Sequence, residues 1–156
     1  MRSISTLLLA VGVAAVVASV AADAPVSGTY RANGKDAKLA YALAVKHEPF
    51  GGKEAVTIIF SEKDPSTEKR PDITASFGKL GSALIVTLTR DGSVIGCEVA
   101  HSALKHSGAS TIGRLKSQDF KWQGGMLKGR LTTGGPADLF DEKWEADLTF
   151  DVKGPS

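Results

Sequence analysis

Residues 143–153 read KWEADLTFDVK, and their alternation decides the fold class. Trp144, Ala146, Leu148, Phe150 and Val152 share one parity, while Glu145, Asp147, Thr149 and Asp151 share the other. Successive side chains of a strand point to opposite faces, so this is a strand with one face buried and one in water. A helix through the same residues would spread apolar and acidic groups around its whole circumference.

The same period recurs toward the N-terminus. In residues 37–47, AKLAYALAVKH, the residues Leu39, Tyr41, Leu43 and Val45 fall on one face. Ala55–Phe60 (AVTIIF) and Ala83–Thr89 (ALIVTLT) are apolar on both parities and rich in β-branched residues, as central strands covered on both faces are. Ser27–Arg31, Ile73–Phe77, Ser93–Ala100, Asp119–Trp122 and Met126–Thr132 complete a set of short expected strands. Turn pairs separate them: Asn33-Gly34, Gly51-Gly52, Asp91-Gly92, Gly124-Gly125 and Gly134-Gly135. Asp91-Gly92 is expected to close a two-residue hairpin, and Gly124-Gly125 another. Short turns between successive strands, with no sustained helical period, predict an all-β fold. The expectation is an antiparallel β-sandwich of about eight or nine short strands, with a small closed β-barrel as the alternative. Two connections are too long for turns. Ser61–Asp72 is charged and proline-interrupted, and Ser102–Ser117 is rich in Ser, Gly and basic residues.

The chain opens MRSISTLLLAVGVAAVVASVAA. Arg2, the apolar run Leu7–Val17 and the small residues Ser19–Ala22 have the order of a secretory signal peptide. The expected organisation is a cleaved leader over residues 1–22 and one domain over 23–156, working in the periplasm or as a secreted protein. A cut after Ala21 and a retained anchor are the alternatives. Cys97 is the single cysteine, so no internal disulfide forms, and no cysteine at the leader's end takes a lipid. With 19 Lys+Arg against 17 Asp+Glu, interspersed rather than blocked, the chain lacks the basic stripe of a nucleic-acid binder.

Chemistry-bearing residues concentrate in residues 96–106, GCEVAHSALKH. Cys97, His101 and His106, with His47 brought in by the fold, are the ligand types of a copper or zinc site. The spacing opposes it, since four residues along a strand separate Cys97 from His101 by roughly 13 Å. Cys97 also shares parity with Ile95 and Val99, which places it in the core as a small apolar residue rather than as a nucleophile. The sequence contains no Gly-x-Ser-x-Gly elbow, phosphate-binding glycine loop or dinucleotide fingerprint. Glu145, Asp147 and Asp151 form an acidic row that reads as an ordinary exposed sheet face rather than as a glycosidase pair. Ser27-Gly28-Thr29-Tyr30 resembles a Ser-Gly-x-Tyr string of some exported bacterial lysozyme inhibitors; the resemblance covers four residues and transfers no functional residue.

The expected function is therefore a non-catalytic, exported cell-envelope domain that binds a protein, glycan or small ligand. Its contact surface is the 101–117 loop with the adjoining 46–54 turn, where Lys105, His106, Arg114 and Lys116 give a mild positive charge suited to acidic groups. A metal-binding protein using Cys97, His101 and His106 is the alternative, and an enzyme ranks last.

Overall fold

The structure, a computed structural model, describes residues 24–155; the expected leader lies outside them. The elements are β1 (Val26–Ala32), β2 (Lys35–Ala37), β3 (Tyr41–Phe50), β4 (Lys53–Ser61), α1 (Pro71–Ser76), β5 (Ala83–Thr89) and β6 (Val94–Ala100). There follow β7 (Ala109–Ser110), β8 (Lys116–Gln123), β9 (Met126–Thr132), β10 (Ala137–Leu139) and β11 (Glu142–Lys153). They form two antiparallel sheets, one ordered β2-β1-β11-β9-β8 with β10 also on β11, the other β3-β4-β5-β6-β7. The sheets do not close on each other, so the fold is a sandwich and not a barrel. The strands beyond the expected number are the two- and three-residue pieces β2, β7 and β10.

β11 follows the alternation of its sequence. Trp144, Ala146, Leu148, Phe150 and Val152 are buried in the space between the sheets. Their outward neighbours are paired with basic residues across the sheet: Arg31 with Glu145 at 3.5 Å, Arg130 with Asp147 at 2.6 Å and Lys128 with Asp151 at 3.4 Å. This face is a lattice of exposed ion pairs, each worth at most about 1 kcal/mol. Each acid of the row thereby has a cationic partner across the sheet.

β4 and β5 are buried on both faces because each face meets a different cluster. Val56, Ile58, Phe60, Leu84, Val86 and Leu88 enter the main core. Ile59, Ala83 and Ile85 face outward into a second cluster with Ala75 and Leu80. That second cluster explains a departure from the sequence reading. Residues 73–77 are not a strand: Pro71–Ser76 is a helix that starts on Pro71 and buries Pro71 and Ala75, one turn apart. Ile73 and Phe77, the apolar pair that suggested a strand, remain exposed at 41% and 76%.

Two further readings shift. The chain turns at 38–40, so Leu39 enters the main core with Ala42 and Ala44, while Val45 packs on the outer cluster. Across β5–β6 the register slips between Thr87 and Leu88, which puts Val94 rather than Ile95 against the main core alongside Cys97 and Val99. The connecting turn has three residues and not two: the Thr89 N–H donates to Ser93 O at 3.0 Å and the Gly92 N–H to Thr89 O at 2.8 Å. Gly92 takes φ +87°, the left-handed position of that loop type. Gly124-Gly125 closes a two-residue turn between Gln123 and Met126, with φ of 59° and 75°.

The strand pairings sort the connections into two ends. One row of the second sheet runs Tyr41, Ser61, Ala83 and Ala100. The long connections 62–82 and 101–115 leave from that end, where the tight turns at 51–52 and 90–92 are absent. Tyr30 of β1 ties the sheets together there, its hydroxyl placed 3.0 Å from the Ala83 carbonyl and 2.9 Å from that of Ala100. The turns at 33–34 and 140–141 lie at the same end, because Asn33 reaches both Ala103 and Glu142.

Candidate functional site

The 101–115 connection is pinned by its apolar residues. Leu104 and Leu115 insert into the main core, leaving Lys105, His106, Arg114 and Lys116 exposed between and beside them. Backbone donors of the first half are satisfied one by one. The His101 N–H donates to Ser107 Oγ at 3.1 Å and the Ser102 N–H to Ser82 Oγ at 3.1 Å. The Ala103 N–H donates to the His101 ring at Nδ1, 3.0 Å away, and the Leu104 N–H to the His101 carbonyl at 3.0 Å. The N–H groups of Lys105 and His106 donate to the Glu142 carboxylate at 2.8 and 3.2 Å.

Glu142 is the centre of this arrangement, and the sequence reading did not single it out. It is 6% exposed, and it also accepts from Asn33 Nδ2 at 3.1 Å. The Lys105 N–H above all, followed by those of His106 and Asn33, holds its carboxyl below the ordinary carboxylate range against the opposing effect of burial. Its neighbour Phe140 begins the two-residue β10–β11 turn at φ +56°, a conformation a bulky residue adopts at a cost of about 1–3 kcal/mol. Phe140 is 72% exposed, and its ring lies 5.0 Å from that of His106. The loop end therefore displays an aromatic on a strained turn, braced by a histidine.

The expected metal ligands are distributed differently. Cys97 is 4% exposed and faces the main core opposite Val86. Burial, and secondarily Glu98, push its thiol up to about 12, so it is protonated at neutral pH and no nucleophile. Alkylation of native Cys97 should run at least about a thousandfold slower than in denaturant, since it waits for core strands to open; equal rates would contradict the burial. His101 is 1% exposed at the foot of the loop, edge-on to Tyr30 with ring centroids 5.1 Å apart. His47 is exposed on β3, paired opposite Ala55 and away from the long-loop end, in a shallow cleft with Trp122 and Pro155. Among the described residues His106, Asp141 and Glu142 do bring ligand atoms within 4.8 Å of one another, a group that contains none of the other three. The oxygens of Glu142 are already engaged by three N–H donors, which accounts for the burial of that carboxylate without an ion.

The positive character expected of Lys105, His106, Arg114 and Lys116 is diluted. Asp138 on β10 pairs with Lys143, and the charge of Arg114 acts on it as well. Ile112, 81% exposed in the same connection, adds a second displayed apolar side chain. No family model, curated protein or solved structure matches this chain. Ser27-Gly28-Thr29-Tyr30 has its own structural reasons here, with Gly28 at φ +118° and Tyr30 bridging the sheets. What fold and surface define is a class, a two-sheet antiparallel β-domain with its long connections gathered at one end.

Proposed function

We propose that the chain is an exported, non-catalytic cell-envelope domain, periplasmic or secreted, which binds a protein, glycan or small ligand through its long-loop end. The observation that carries this reading is Phe140, 72% exposed on a strained turn and braced by the His106 ring of the long connection. Strained backbone concentrates where a surface must hold a set geometry, and loops on a rigid β scaffold are the usual place for contacts. Lys105 stands beside His106 in the chain, and Arg114 and Lys116 are exposed further along, at the end of the same connection and the start of β8. The reading is that of a contact surface with an apolar centre.

The test is photo-crosslinking in the native host, with a crosslinking residue at position 140 and a control at Thr149, exposed further along β11 on the outer face of the same sheet. A discrete adduct from 140, absent from 149 and weakened by His106→Ala, supports the proposal. Identical adducts from both positions, or none, overturn it. The mass of the crosslinked chain also reads the export step: a polypeptide beginning at Asp23 supports cleavage after Ala22, and an uncleaved N-terminus overturns it.

A further inference from the structure

The loop that carries His106 is fastened by two ionisable side chains, and both hold it in their unprotonated forms. His101 Nδ1 accepts the Ala103 N–H at 3.0 Å, so the single proton of the neutral ring sits on Nε2. A second proton would have to go on Nδ1, where a backbone donor already points, so the charged ring cannot keep the Ala103 bond. Glu142 accepts the next two N–H groups of the same loop, and a protonated carboxyl loses acceptor capacity facing those donors.

We propose that residues 101–108 form an acid-released latch, closed while His101 and Glu142 are unprotonated and opened when His101 takes up a proton.

The surroundings of both groups fix the sign. Burial lowers the affinity of His101 for a proton; Glu62 from the connection after β4, the Lys35 carbonyl and Asp36 from β2 act the other way more weakly. Tyr30 from β1 faces the ring edge-on. A histidine held neutral in the fold contributes stability that is complete above its ordinary value of 6.5 and is lost as pH falls from there toward its lower folded value. Around Glu142 stand Asn33, the Lys105 and His106 amides, the His106 ring and Asp141. Its contribution fails at lower pH, since the folded carboxyl titrates below its ordinary 4.5. The two steps therefore come in order, His101 first.

Opening reaches the loop before the strands because Leu104 is the loop's one buried apolar anchor, whereas β4 and β5 are secured by the core on both faces. That the latch governs partner binding rests on the function proposed above. The latch itself does not, and its test needs no partner.

The measurement is hydrogen exchange by NMR on the mature protein, from about pH 7.5 to about pH 5, corrected for the intrinsic pH dependence of exchange. The expected result is joint loss of protection at Ser102–His106 as pH falls below about 6.5, by at most about tenfold per pH unit as one-proton coupling requires, levelling off around a midpoint. That midpoint follows the titration of the His101 ring, while Ile58 and Val86 stay protected. His101→Asn, whose amide oxygen is carried on Cγ as Nδ1 is and can still accept the Ala103 N–H, should keep the loop closed over this range. The proposal is overturned if Ser102–His106 stay protected while the His101 ring titrates, if they open only together with Ile58 and Val86, or if His101→Asn opens at the wild-type pH. Should His101→Asn not fold, the wild-type titration decides alone.

Discussion

Gly28→Ala is expected to lower the melting temperature by about 10 °C, equivalent to a loss of about 3 kcal/mol for a domain of this size. Gly28 lies in the middle of β1, paired opposite Leu148, at φ +118°. By parity it belongs to the inward row of Val26, Tyr30 and Ala32, yet it is exposed, so the alternation fails at this one position. A Cβ built there would stand 2.0 Å from the carbonyl oxygen of Asp147, far inside contact distance. Two costs therefore add. L-residues disfavour that backbone region, and relaxation into an ordinary strand must move β1 or β11. β11 is the spine of its sheet, with β1 on one edge and β9 and β10 in succession along the other. The effect should reach Tyr30 two residues on, whose hydroxyl ties the sheets together. Ser27→Ala, at an exposed neighbour with no such contact, should leave the melting temperature within about 2 °C. Thermal unfolding of both variants checks the prediction; a Gly28→Ala shift as small as that of Ser27→Ala would contradict it.

Gly28 also marks how far the sequence could be read. The strands were legible wherever a period of two ran unbroken, as from Trp144 to Val152, or wherever β-branched residues occupied both parities, as in Ala83–Thr89. The sandwich followed from them. Residues 73–77 misled because Ile73 and Phe77 are apolar and share strand parity. The helix there is set by Pro71, by Asp72 in its first turn and by the need of Ile59 and Ile85 for a cover, and that last requirement is tertiary. The slip at Ile95 and the three-residue turn at 90–92 belong together, since an extra residue in one strand is invisible to parity counting. At the candidate site, His106 and its loop were legible from residue type and loop length. Glu142 was legible in principle and passed over. It has the inward parity of Trp144 and Ala146, and a carboxylate in an inward row must find buried donors. No local pattern reveals which donors; Lys105 and His106 are more than thirty residues away in the chain. Phe140 carried no signal, because positive φ at an aromatic is imposed by the two-residue turn joining β10 to β11.

Trp144→Ala should be the most damaging core truncation, at about 3–5 kcal/mol, and Trp144→Phe should be far milder. Trp144 is 1% exposed and sits between Ala32 on β1 and Ala137 on β10, two small residues that leave room for the indole. Neither alanine can extend to fill the space, so truncation leaves a cavity near the foot of the long-loop end. The indole Nε1–H, however, is buried without a hydrogen-bond partner. An orphaned donor costs about 1–3 kcal/mol, and phenylalanine removes it while keeping most of the ring's contacts. The smaller ring loses packing and the missing donor restores part of that loss, so Trp144→Phe should fall within about 1 kcal/mol of wild type. Chemical denaturation of the two variants separates packing from polarity at this position. A Trp144→Phe loss approaching that of Trp144→Ala would mean that the indole N–H has a partner after all, such as an ordered water. In that case the foot of the loop is held by a polar contact in addition to His101 and Glu142, and the tryptophan was selected for its nitrogen as well as its size.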